Sequence, residues 1–161
     1  MHKSLFALLV IACLSACTWI HPVKVCDSQK MEADSVLNRW HAAATEADFE
    51  TYFDILDSDA YFLGTDSSEV WDKPTFMAFS EPHFESAPAW DFTVLRRNWF
   101  CAETGDLLWF EETLDTWMGP CRGSGVMVAK DGQWKLKQYN LSILVPNDQV
   151  PAYLKLIEPA F

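Results

Sequence analysis

Carboxylate side chains are the first residues in this sequence that could perform acid–base chemistry. Glu112 stands in an extended run, 106–117, and shares its alternation with Leu108, Phe110 and Leu114. Because side chains alternate between the two faces of a strand, this spacing predicts that Glu112 lies alone among apolar side chains. Desolvation there would raise the pKa of its carboxyl group, as in many general acids and bases. If the strand phase is reversed, Glu112 is exposed instead.

A second carboxylate, Asp66, follows Gly64 at the end of a short strand-like segment. Acidic residues after a glycine usually form turns and helix caps, which disfavours a catalytic role for Asp66. An alternative hypothesis is that Asp66 or Glu112 acts as a catalytic acid or base. The histidines and cysteines lack the spacing of metal ligands. The sequence therefore predicts no metal site and no cofactor.

Helices predominate in the first half of the predicted domain. Apolar residues recur on one side of a helix over 36–47, and Asp48 is a suitable N-cap for a second, short helix. Segment 60–63 is strand-like. Pro74 and Pro82 bracket a third helix, which we expect to cover an opening.

Extended runs replace the helical spacing in the second half of the chain. Hairpin-sized turns containing glycine separate them. The predicted strands are 90–101, 106–117, 122–130 and 133–144. Helices followed by strands indicate an α+β fold, with N-terminal helices packed on one face of a curved, mainly antiparallel sheet. The tail, 149–161, contains a possible short helix.

Charge and composition exclude several kinds of partner. The chain has 161 residues, half of them apolar, and its 23 acidic against 12 basic residues give a formal charge of -11. This is enough apolar material for one domain, and the sign of the charge disfavours nucleic acid and anionic membrane surfaces.

The first residues resemble a bacterial lipoprotein signal. A short apolar run follows Lys3 and ends in Leu14-Ser15-Ala16-Cys17, a lipobox-like motif. We expect 1–16 to be removed, Cys17 to carry the lipid, 17–30 to form a polar tether, and the domain to begin at residue 31. The resemblance implies a lipid-anchored protein of the bacterial cell envelope, at the outer membrane facing the periplasm, with no other membrane contact.

Cysteines 26, 101 and 121 would then lie in an oxidising compartment. The predicted strands put Cys101 and Cys121 at opposite ends of the strand between them, too far apart for a disulfide. Their other pairings stay open.

Short motifs in a fixed order resemble the SnoaL-like branch of the NTF2-like superfamily. The similarity covers 31–148 and rests on Phe62-Leu63-Gly64-Thr65-Asp66, Gly132-Gln133-Trp134-Lys135-Leu136, Tyr139-Asn140-Leu141-Ser142 and Pro146-Asn147-Asp148. The resemblance implies a cone whose concave sheet face lines a ligand pocket. It also implies dimers through the outer sheet face.

Strand phase selects the residues expected to line that cone. If Lys135 and Lys137 mark the solvent-exposed face of the last predicted strand, Gln138 and Asn140 face inward. The expected pocket residues are Trp40, Trp71, Glu112, Gln138 and Asn140. The same phase places Tyr139, Leu141 and Ile143 on the outer face of the sheet. These three residues, with Trp109 and Trp117 as possible additions, predict a homodimer interface.

The sequence favours the first of three functions and indicates no complete catalytic set. The first is a lipid-anchored module that binds a small, partly apolar molecule. The second is an enzyme of the isomerase, cyclase or dehydratase type that uses Asp66 or Glu112. The third is a dimeric assembly module.

Lipid attachment is directly testable at Cys17. We expect the wild-type protein to partition into the detergent phase and Cys17→Ser to remain uncleaved or to become soluble in the periplasm, because the serine hydroxyl does not accept the lipid. Detergent-phase partitioning with immunodetection measures this. A wild-type protein found wholly in the aqueous phase would contradict it.

Overall fold

The computed structural model describes residues 22–157 and has the α+β architecture expected from the sequence. Its helices are α1 (Pro22–Glu46), α2 (Phe49–Ile55), α3 (Lys73–Ser80) and α4 (Val150–Leu156), with a 3-10 helix at Glu81–Glu85. Its strands are β1 (Leu56–Leu63), β2 (Val70–Asp72), β3 (Thr93–Cys101), β4 (Leu107–Thr116), β5 (Gly119–Lys130) and β6 (Gln133–Ile143). Cys17 and the proposed signal, 1–16, lie outside the described residues.

The strands form one open sheet in the order β2-β1-β6-β5-β4-β3. Neighbouring strands are antiparallel except β1 and β6, which are parallel. The last four strands form the meander predicted from the glycine turns. At the turn before β5, Gly119 has a φ of +84°, a conformation that glycine adopts without a steric penalty.

Helix α1 is longer than the sequence indicated. We expected 17–30 to be a tether, but the helix already begins at Pro22. Proline is compatible with a first helical turn, and the Gln29 side chain donates a hydrogen bond to the carbonyl of Gly105 in the β3–β4 turn. Packing against the sheet therefore stabilises turns whose polar composition resembled a linker.

The predicted helix pair and its N-cap are confirmed. Leu37, Trp40 and Ala44 of α1 are buried, as the apolar spacing required. Asp48 accepts a hydrogen bond from the backbone N–H of Thr51 at 3.0 Å and caps α2. The two helices pack against β1, β3 and β6. Helix α3 is capped in the same way by Asp72.

The phase of β4 is confirmed, but the phase of β6 changes within the strand. Met127 of β5 pairs with Leu136, whereas Val126 pairs with Gln138, so Lys137 is an extra residue in β6. A one-residue bulge moves every later side chain to the other face. Beyond it, Tyr139 and Leu141 face the helices.

The expectation that Gln138 and Asn140 line the cone is therefore wrong. The same bulge removes Tyr139 and Leu141 from the outer face, where they were expected to form a dimer interface. Of the remaining candidates, Trp109 lies on the outer face and Ile143 is exposed at the end of β6. Trp117 follows the end of β4 and lies at the rim of a cavity under α3.

Strand register separates Cys101 from Cys121, as predicted. Cys101 pairs with Leu108 and Cys121 with Leu114 at opposite ends of β4. At the rise of a strand this is about 20 Å, beyond the reach of a disulfide.

Candidate functional site

Glu112 is the centre of a buried polar cluster beneath α1. Its side chain is fully buried on β4, and its Oε1 lies 2.9 Å from His41 Nε2. The same oxygen accepts a hydrogen bond from the Tyr139 hydroxyl at 2.7 Å. Its Oε2 accepts from Arg97 Nε at 2.8 Å. Groups on α1, β3 and β6 therefore converge on one carboxylate.

These partners reverse the predicted protonation behaviour of Glu112. Burial alone raises the pKa of the carboxyl group, but the hydrogen bond and charge of His41, the charge of Arg97 and the hydrogen bond of Tyr139 lower it below its usual value. The prediction that the pKa of Glu112 is raised is therefore wrong, because Glu112 is not alone among apolar side chains. Glu112 is a carboxylate at neutral pH and acts as a hydrogen-bond acceptor.

Arg97 is held from its other side by α1. Its NH1 donates to Asp34 Oδ1 at 2.8 Å and to Asn38 Oδ1 at 2.7 Å. Trp99 Nε1 donates to the same Asp34 oxygen at 2.8 Å. Arg97 therefore lies between two carboxylates, which compensates its buried charge.

Helical spacing explains how α1 presents these groups. Residues 34, 38 and 41 are separated by four and three positions and so share one helix face. On β3, Arg97 pairs with Glu112. The signal for this face in the sequence is a polar line beside the apolar line of α1. No local pattern connects His41 with Arg97 or indicates that Tyr139 faces inward.

Two glycines on β5 make room for the cluster. A Cβ atom on Gly123 would lie 2.1 Å from the Tyr139 hydroxyl oxygen and 2.8 Å from Glu112 Oε1. A Cβ on Gly125 would lie 2.8 Å from the Phe110 ring. Any larger residue at these positions would displace the side chains that hold and surround the carboxylate.

A cavity of about 220 Å³ adjoins this cluster under α3. Its walls are mainly aromatic: Trp40, Tyr52, Phe62, Trp71, Phe76, Phe79, Trp90, Phe92, Trp117 and Tyr139. Several rings lie nearly parallel. The centroids of Phe62 and Phe76 are 4.1 Å apart at 15°, and those of Trp71 and Phe79 are 4.5 Å apart at 23°.

Few polar groups reach the cavity wall, and they come from different elements. His41 and His83 line it, as do Thr65 and Glu69 in the loop between β1 and β2. Trp40 Nε1 is buried and has no hydrogen-bond partner within the described part of the chain. Burial raises the pKa of Tyr52 well above its usual value, so its hydroxyl stays protonated.

The structure brings only some of the predicted pocket residues together. Trp40 and Trp71 line the cavity, while Glu112 lies behind its wall and contacts it through His41 and Tyr139. Gln138 faces an outer groove, and Asn140 donates a hydrogen bond to Ser142 on the outer face.

Asp66, the other residue considered as a catalytic acid or base, forms a turn. Its Oδ1 accepts a hydrogen bond from the backbone N–H of Ser68 at 2.8 Å, and its side chain is exposed. Across residues 22–157, no three side chains of the metal-binding types form a cluster that could hold an ion. No helix in that range is long and apolar enough to cross a membrane.

Comparison with protein-family models gives a match over most of this chain. A family model described as a SnoaL-like domain matches residues 33–146. Among curated proteins, no match was found.

Solved structures share the fold at low sequence identity. An NTF2-like protein of unknown function from Pseudomonas putida KT2440 is 15% identical, with a TM-score of 0.63 over 76% of this chain and 92% of its own. A candidate dehydratase of the NTF2-like family from Streptomyces avermitilis is 13% identical, with a TM-score of 0.64 over 74% and 99%. The association domain of C. elegans CaMKII is 19% identical, with a TM-score of 0.60 over 73% and 97%. The NTF2-like architecture expected from the sequence motifs is thereby confirmed.

Replacing Glu112 tests whether its carboxylate stabilises the fold. A group whose pKa is lowered on folding stabilises the protein above its unfolded-state pKa, here 4.5, and that contribution is lost as the pH falls through the folded-state pKa. We expect Glu112→Gln to lower the free energy of unfolding by about 3 kcal/mol at pH 7, because Arg97 then lacks a buried partner. The difference from wild type should shrink below pH 4.5.

Urea denaturation at several pH values measures both effects. Glu111→Gln, on the outer face of the same strand, is the matched control and should change stability much less. A Glu112→Gln protein as stable as wild type at pH 7, or a difference that grows in acid, would contradict the assignment.

Proposed function

The chain belongs to the SnoaL-like domain family, and from that premise we propose that its cavity binds a small, flat, largely apolar molecule. The observation that carries the proposal is the aromatic wall, in which the Phe62–Phe76 and Trp71–Phe79 pairs present nearly parallel faces. Flat rings complement such faces, and burial of apolar area supplies the main driving force.

Polar groups in the wall indicate what else the ligand carries. The Thr65 hydroxyl and the His83 ring line the cavity, and each can donate a hydrogen bond. An acceptor on the ligand, such as a carbonyl oxygen, would accept from one of these groups. The ligand class that fits best is therefore a small aromatic or polycyclic ketone.

A second candidate function is proton transfer to or from the bound molecule. His41 lines the cavity while its Nε2 contacts Glu112, so Nδ1 is the nitrogen left for a ligand. In that role His41 is the general base or acid, and Glu112 is a positioning residue that fixes the ring and stabilises the imidazolium. Removal of a proton beside a carbonyl is common to isomerase, cyclase and dehydratase chemistry.

One ketone probe tests both functions. We expect 2-tetralone to quench the tryptophan fluorescence of the wild type saturably. Phe79→Ala should weaken binding roughly tenfold, since it removes one ring of a stacked pair in the wall. Phe100→Ala is the matched control, because Phe100 is as exposed as Phe79 but lies on the outer face, and it should bind the probe like wild type. Absence of saturable quenching, or equal effects of both variants, would contradict the binding proposal.

Deuterium exchange in the same mixtures separates binding from proton transfer. If His41 is the base, the wild type accelerates exchange of the ketone's α-protons in D2O above the buffer rate, and His41→Asn binds the probe without acceleration. If the wild type binds the probe but exchange proceeds at the buffer rate, the protein is a binding module and the proton-transfer function is rejected.

We propose further that the domain is held at the cell envelope through Cys17 and forms a homodimer through the outer sheet face. The anchor rests on the lipobox-like motif. The dimer rests on Phe100 and Trp109, which stack across β3 and β4 with ring planes 12° apart while each remains more than 40% exposed. A structural neighbour of this chain is itself an association domain.

Substitution in the stacked pair tests the dimer. Trp109→Glu should lower the mass measured by light scattering, because a charge would be desolvated in the interface. Trp117→Glu makes the same replacement at the cavity rim and should leave the mass unchanged. A wild type that is monomeric at high concentration would contradict the proposal.

A further inference from the structure

Two cysteines from distant parts of the sequence meet where α1 packs against the end of β3. Cys26 lies near the start of α1, and Cys101 is the last residue of β3. The Cys101 thiol interacts electrostatically with Cys26. Neither belongs to the cavity or to the Glu112 cluster.

Contacts around the pair fix this juxtaposition independently of the thiols. Gln29 lies one helical turn after Cys26 on the same face of α1. Its Oε1 is 3.9 Å from Cys101 Sγ, and its Nε2 donates to the carbonyl of Gly105 in the following turn. The helix face that carries Cys26 is thus held against the end of β3.

We propose that Cys26 and Cys101 form a disulfide that fastens the start of α1 to the sheet. The partly exposed position of both residues leaves them accessible to an oxidant. The bond would join residues 75 positions apart in the chain, a long loop whose closure restricts the unfolded state strongly. It would also fasten the end of the helix that presents Asp34, Asn38 and His41.

The oxidation requires a disulfide donor, either an oxidised dithiol protein or oxidised glutathione. One cysteine thiolate attacks a donor sulfur and forms a mixed disulfide with release of one donor thiol. The second cysteine thiolate then displaces the other donor sulfur. Two electrons and two protons pass in total from the cysteine pair to the donor, which leaves as two thiols.

Reduced Cys101 is a thiol at neutral pH. Burial, and then the interaction with Cys26, raise the pKa of Cys101 to about 11. Cys121 differs from this pair because it is fully buried, with its Sγ 3.5 Å from Thr116 Oγ1, and it should stay reduced.

Peptide mapping of the purified full-length protein in detergent tests the proposal. After equilibration with an oxidising glutathione buffer and alkylation, we expect a peptide containing Cys26 to be linked to one containing Cys101. Trypsin leaves Cys101 and Cys121 together in peptide 98–122, so a second cleavage at acidic residues is needed to assign the link. A Cys26 peptide that remains alkylated, or that is linked to Cys121, would overturn the proposal.

Thermal unfolding gives a second readout. Oxidation should raise the midpoint of the wild type by about 10 °C relative to the reduced protein. Cys26→Ser should abolish this difference, whereas the control Cys121→Ala should retain it even if its overall stability is lower. A wild-type midpoint that is independent of the glutathione buffer would also overturn the proposal.

Discussion

The buried carboxylate of Glu112 determines how the helices and strands around it are arranged. An unpaired charge in this position would be strongly destabilising, so the fold must supply donors to both of its oxygens. The donors come from three separate elements, α1, β3 and β6. The hydrogen bonds to this one carboxylate therefore fix α1 against the sheet and fix β3 and β6 relative to β4.

Features that are otherwise unrelated follow from this constraint. Gly123 leaves space for the Tyr139 hydroxyl. The bulge at Lys137 turns Tyr139 inward and so completes the set of donors. Asp34 balances the charge of Arg97 from the far side. The same arrangement orients His41 at the cavity wall, which connects the stability of the core to the chemistry proposed for the cavity.

Local patterns in the sequence were sufficient to predict the elements but not how residues meet between them. The apolar spacing of α1, the Asp48 cap and the phase of β4 each depend on neighbours within a few positions, and each is confirmed. The phase of β6 depends on a single extra residue whose effect is set by pairing with β5, and it was predicted wrongly. The protonation behaviour of Glu112 was also predicted wrongly, because His41 and Arg97 lie 71 and 15 positions away in the chain.

The ionisation of Glu112 can be measured directly. Carbon-13 NMR of protein labelled at the glutamate side-chain carboxyl carbon can follow each carboxyl group through a pH titration, and the signal absent from Glu112→Gln identifies Glu112. We predict that this signal keeps the chemical shift of a carboxylate as the pH falls through 4.5, while glutamate in an unstructured reference peptide becomes protonated. A Glu112 signal that titrates above pH 4.5, or that is already protonated at pH 7, would contradict the account.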